Sequence, residues 1–175
     1  MKKIFLLLVL FSLLGCEKDD ICDENTATTP LLVIGFYSED NPSVALSVAN
    51  LTIQAEGVSE PIIFNAGGTA TTKYYFNGNQ VKIPLRINEP KTKYKLTINS
   101  GSDEFKNTDN LEFNYETKSV YVSRACGFKT TFTLNPTNSV IKTDSGLPEN
   151  FWIKDYEVLT TNIENPNEVH LKILL

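Results

Sequence analysis

A chain of 175 residues, 41% of them hydrophobic, can bury a real core as one domain. Its formal charge of −5, with no basic cluster, argues against a nucleic-acid partner. One histidine and three cysteines are too few, and too irregularly spaced, for a structural zinc set, so neither metal nor cofactor is expected.

The first segment in chain order is an address rather than a fold. Lys2 and Lys3 form a short positive start, and residues 4–14 follow as a nearly unbroken apolar run. That run falls short of the roughly 20 residues that span a bilayer but suits the apolar stretch of a secretory leader. Leu13-Leu14-Gly15-Cys16 then resembles the lipobox of bacterial lipoproteins, where the cysteine is diacylated on sulfur and becomes the first residue after cleavage. The chemistry needs a thiol at that position and a small residue before it. The resemblance implies that residues 1–15 are a signal peptide and that Cys16 carries acyl chains such as palmitate. It leaves a mature chain of 160 residues with formal charge −7. Two or three acyl chains hold a protein at a membrane stably, so the chain is expected to be anchored without spanning. Glu17-Lys18-Asp19-Asp20 resembles the acidic signal that directs lipoproteins of the Bacteroidota to the outer face of the outer membrane. The alternative is a solvated linker on a periplasm-facing anchor.

With Cys16 assigned to lipid, Cys22 and Cys126 remain in an oxidising compartment, and a disulfide between them is expected. A buried thiol pair or a metal site are the alternatives. Residues 16–30 read as the lipidated start and acidic tether, and 31–175 as a single β-sandwich domain.

The body shows period-2 alternation. Leu31–Tyr37 is dense enough for a central strand covered on both faces. Val44–Val48, Leu51–Ala55 and Lys73–Phe76 are further candidates. Asn77-Gly78 marks a hairpin into Val81–Ile87, where Pro84 implies an edge strand or a bulge. Tyr94–Ile98 and Leu111–Tyr115 alternate again, followed by Val120–Ser123, Phe128–Leu134, Tyr156–Thr160 and Val169–Ile173. Eight to ten short strands with no sustained helical period predict an all-β, antiparallel two-sheet sandwich, immunoglobulin-like or transthyretin-like. A small barrel is the second choice.

The opening Gly15–Cys22, the segment Thr28–Ile34, Ala125-Cys126-Gly127-Phe128 and the closing Glu168–Leu175 resemble an uncharacterised lipoprotein family of the Bacteroidota, a domain of unknown function. That resemblance implies an envelope lipoprotein with paired cysteines and brings no activity with it.

Catalytic signals are weak. His170 is expected to face solvent, opposite in phase to Leu171, and no Gly-x-Ser-x-Gly elbow accompanies it. Asp103-Glu104 and Asp155 with Glu157 are nominal acid pairs. Residues 102–110 are an oxygen-rich loop without EF-hand spacing. Tyr74-Tyr75-Phe76 and Phe151-Trp152 are expected to divide between the core and a partly covered face. Three readings follow: a non-catalytic surface module that binds a protein or glycan or builds the envelope, an accessory subunit of an outer-membrane complex, and an envelope hydrolase. The first is preferred.

Overall fold

The computed structural model describes residues 21–22, 26, 28–144 and 150–175. Eleven strands carry them: β1 (Leu32–Tyr37), β2 (Val48–Ala55), β3 (Phe76–Gly78), β4 (Gln80–Ile83), β5 (Lys91–Ile98), β6 (Asn107–Ser123), β7 (Gly127–Leu134), β8 (Val140–Asp144), β9 (Asp155–Val158), β10 (Asn162–Ile163) and β11 (Leu171–Leu174). Among the described residues, one 3-10 turn lies at Thr72–Tyr74. The strands form two sheets packed as a sandwich, as the alternation predicts, and no barrel closes among the described residues. The smaller sheet has the order β4-β1-β11-β9; the larger has β10-β7-β6-β5-β2-β3, with β8 on β6. One pair, β1 with β11, is parallel, where the sequence predicts only antiparallel neighbours.

Alternation explains the core. Leu32, Ile34 and Phe36 of β1, Val81 and Ile83 of β4, and Leu171 and Ile173 of β11 face inward from the smaller sheet. Leu51, Ile53, Tyr94, Leu96, Leu111, Phe113 and Tyr115 face them from the larger. Strand β1 is central and is buried on its second face too. There the Tyr37 ring lies so close over Gly35 that an added Cβ would come within 2.7 Å of it. Two core tyrosines fasten the chain after β4: Tyr94 Oη donates to the Pro84 carbonyl, and Tyr115 Oη to that of Arg86 (2.8 Å).

Three expectations are corrected. Asn77-Gly78 is not a hairpin turn. Strand β3 pairs with β2 in the larger sheet and β4 with β1 in the smaller, so the chain changes sheets there. The Asn77 side chain accepts the Asn50 N–H (2.9 Å), and Gly78 has φ 156°, where a Cβ would press on the Phe76 ring at 3.0 Å. A glycine with that freedom serves a sheet crossing as well as a turn. Val44–Val48 is not a strand of its own; only Ala45 bridges to Tyr37, and pairing resumes at Val48. Lys73–Phe76 begins as the 3-10 turn, and only Phe76 enters β3. Pro84 fits its expectation, since edge strand β4 ends at Ile83.

A further crossing stitches the sheets. Between β8 and β9, Trp152 packs on Phe36 (6.4 Å between rings) and donates from Nε1 to the Leu96 carbonyl (3.3 Å). Asp109 Oδ2 accepts the Ile153 N–H (2.9 Å), while Lys142 Nζ donates to the carbonyls of Ile153 and Lys154 (2.9 and 2.7 Å). Carboxylate and ammonium thus grip one peptide segment from opposite polarities.

Candidate functional site

Strand β6 is 17 residues long, more than twice the average strand, and the excess builds a projection. Its first half pairs with β5 on one side and β8 on the other. From Tyr115 to Ser123 its neighbour is β7, in a hairpin turned by Arg124-Ala125-Cys126. Glu116, Thr117, Lys118 and Ser119 are exposed, so the hairpin leaves the sandwich as an arm.

The arm tip carries the predicted disulfide. Cys22 and Cys126 are bonded, with Cα atoms 5.0 Å apart across a separation of 104 residues. The N-terminal segment also follows the arm, where Thr29 Oγ1 accepts the Thr130 N–H (3.0 Å). Cys16, the residue expected to be lipidated, and Glu17, Lys18, Asp19 and Asp20, expected to form an export signal, lie outside the described residues.

Close to the bridge, Tyr121 and Phe128 stand opposite each other across the hairpin, ring centroids 5.4 Å apart, edge to face. They are 58% and 68% exposed. Tyr121 shares its strand face with Tyr115, six residues back, and Phe128 shares its face with Phe132 and Leu134; all three of those are buried. The face that starts as core therefore continues past the edge of the covering sheet, through Thr117, Ser119 and Thr130, to this aromatic pair. The sequence names both flanking strands but not this pair, because alternation does not reveal where the opposite sheet stops. The short Ser123–Gly127 connection between equally phased aromatics is the signal that could have placed them together.

His170 corrects an expectation. It is fully buried rather than solvent-facing, because it precedes β11 and its ring completes the pairing with β1. Its N–H donates to the Val33 carbonyl (2.9 Å), and its Nδ1 accepts the Val33 N–H (3.0 Å). The ring thus stands in for a backbone carbonyl and must be neutral at Nδ1. Burial pushes its pKa below the usual histidine value, against the opposing pull of Glu168 and of the Asn165 backbone. An imidazole whose basic nitrogen is occupied by backbone cannot act as a general base.

The other polar candidates do not converge. Asp103 is exposed and paired with Lys106 (2.6 Å), which lowers its pKa, and Glu104 is exposed beside it. Asp155 and Glu157 point outward from β9, with Glu157 3.5 Å from Lys172. Asp109, at the end of the oxygen-rich loop, turns into the core, where burial raises its pKa, Asp144 adds to the rise, and the N–H groups of Ile153 and Trp152 oppose it. No group of three or more His, Cys, Asp or Glu side chains able to hold a metal gathers among the described residues. Of the two aromatic clusters, Phe151-Trp152 divides as expected, whereas no ring of Tyr74-Tyr75-Phe76 is fully buried. Trp152 is core, Phe151 is half-covered beneath Lys142 Nζ (4.5 Å), and Tyr74, Tyr75 and Phe76 are half-buried, with Phe76 edge-on to Phe64. A shallow cavity of about 230 Å³ lies on the outer face of the larger sheet, between Gln54, Lys93, Lys95 and Asn110. There the Gln54 amide is turned to the Val58 carbonyl and Lys93 to Glu56 (3.3 Å).

No curated protein and no solved structure matches the chain. A family model matches residues 50–175, from within β2 to the last residue, and so takes in the arm with Cys126 while Cys22 lies outside the match. That stretch exceeds half of the chain, and the protein therefore belongs to the family of unknown function DUF6452.

Proposed function

We propose that this protein is a lipoprotein of a bacterial outer membrane, anchored through Cys16 and displaying a non-catalytic β-sandwich as a binding or structural module of the envelope. Leu13-Leu14-Gly15-Cys16, behind a positive start and a short apolar run, is the observation that carries the reading. The Cys22–Cys126 disulfide supports it, since such bonds persist in oxidising compartments. Glu17-Lys18-Asp19-Asp20 favours the cell-surface face and the Bacteroidota as the source. The occupied imidazole of His170 and the dispersed surface carboxylates favour a binding role, for a protein or a glycan, over hydrolysis. The two exposed aromatics in contact on the arm leave room for an accessory subunit of a larger complex as the second reading.

The test is Cys16→Ala in cells labelled with a fatty-acid precursor. Loss of label and of detergent-phase partitioning, with retention of the uncleaved or mislocalised chain, is expected. Labelled, detergent-phase protein persisting in the variant would end the reading.

A further inference from the structure

We propose that the arm tip is a membrane-contact surface, with Tyr121 and Phe128 seated at the headgroup–acyl boundary of the bilayer that holds the Cys16 lipid. The inference rests on the anchoring proposed above. It adds that the domain touches the bilayer at a second, defined point and so stands in a fixed orientation.

Three observations converge on the tip. The first is the aromatic pair itself, more than half exposed and in mutual contact on a face with no opposing sheet. From the last buried position on that face, Phe132 opposite Thr117, the pair lies four residues further out, about 13 Å at strand rise. The second is the position of the bridge. Cys126 is two residues from Phe128, and its partner Cys22 is six residues from Cys16. Six residues reach at most about 20–22 Å when extended. A bilayer holding Cys16 is therefore within reach of the tip, while the body lies on its far side. The third is side-chain chemistry. A tyrosine with a phenylalanine suits the interface, where a ring is buried while a hydroxyl stays wet. Charge does not carry the contact, since Lys118 and Lys129 alternate to the opposite face of the hairpin and Asp23 and Glu24 follow the bridged Cys22 in sequence; the two rings do.

A second copy of this chain fits the pair less well. Two rings bury roughly 300–500 Å², whereas a stable protein interface needs about 1,200–2,000 Å². As an addition to acyl chains already in place, the same small area is enough to hold an orientation.

The test uses the full lipidated protein carrying Phe128→Trp, reconstituted into vesicles of phosphatidylethanolamine and phosphatidylglycerol with plain or brominated acyl chains. Wild type supplies the background, because its one tryptophan, Trp152, is buried in the body. Loss of the added emission in brominated vesicles, with Trp152 emission unchanged in wild type, is the expected result. Tyr121→Trp gives a second report from across the hairpin, should the first substitution disturb the tip. Protein that floats with the vesicles but is equally bright in both overturns the contact while leaving the anchor intact. So does unquenched emission accompanied by cross-linked dimers, which would assign the pair to a second copy. Protein that does not float overturns the anchor, and the contact with it.

Discussion

Strand β6 passes through two environments without changing its pattern. Between Asp109 and Phe113 it is flanked by β5 and β8, and every second side chain lies under the smaller sheet. Between Glu116 and Ser123 it has β7 on one side and no opposing sheet, and its hold comes from ladder hydrogen bonds and one disulfide. The same alternation that makes Phe113 core leaves Tyr121 at the surface. Periodicity reports the phase of a strand. What covers that phase depends on how far the opposite sheet extends.

The sharpest way to break this contrast is to truncate one ring from each half. Phe113→Ala leaves a cavity between the sheets and is expected to cost about 3–5 kcal/mol. Phe128→Ala removes an exposed ring and should stay within about 0.5 kcal/mol. Urea unfolding of both variants checks this; equal losses would mean that the arm face is covered as fully as the core.

The disulfide sharpens the comparison from the other side. Cys22→Ser together with Cys126→Ser should lower stability by about 2–4 kcal/mol, chiefly by releasing the unfolded chain. The β-type circular dichroism should survive at low temperature, because the core does not depend on the bridge. Amide exchange should quicken in residues 127–131 while residues 109–113 keep their protection. Loss of the β signal would show that arm and body are one cooperative unit.

Much of this was legible in the sequence, and the limits are physical. The inward phases of β4, β5, β6 and β11 follow from alternation, the double burial of β1 from its density, and the Cys22–Cys126 bond from counting thiols. Asn77-Gly78 misled because a residue pair that permits a turn also permits a change of sheet, and the choice depends on partners distant in sequence. The phase of His170, opposite to Leu171, predicts exposure, and the oxygen-rich run at residues 102–110 reads as a loop, yet both His170 and Asp109 are buried. Each instead meets one specific backbone group across the fold, Ile153 N–H and Val33 N–H, and no local pattern encodes such a meeting.

The buried imidazole gives the subtlest test, because it belongs wholly to the body. In the folded chain His170 must be neutral to accept the Val33 N–H, and its pKa is held below the unfolded value of about 6.5. Below that value the unfolded chain therefore binds the extra proton more readily than the folded one. The stabilisation is complete above about pH 6.5 and is lost as pH falls toward the folded pKa. Asp109 works the opposite way: burial raises its pKa, so the strain of keeping it ionised eases on acidification. Its contribution is common to wild type and variant and cancels between them. In His170→Asn the amide oxygen sits close to where Nδ1 was, can accept the same N–H and does not titrate. Urea midpoints at pH 7.5 and 5.5 are therefore expected to fall further apart in wild type than in His170→Asn, while the rate of exchange at arm amides is the same in both. An equal shift in the two proteins would show that the Val33–His170 contact tolerates a charged ring, and the imidazole would lose its role as the stand-in carbonyl of the β1–β11 ladder.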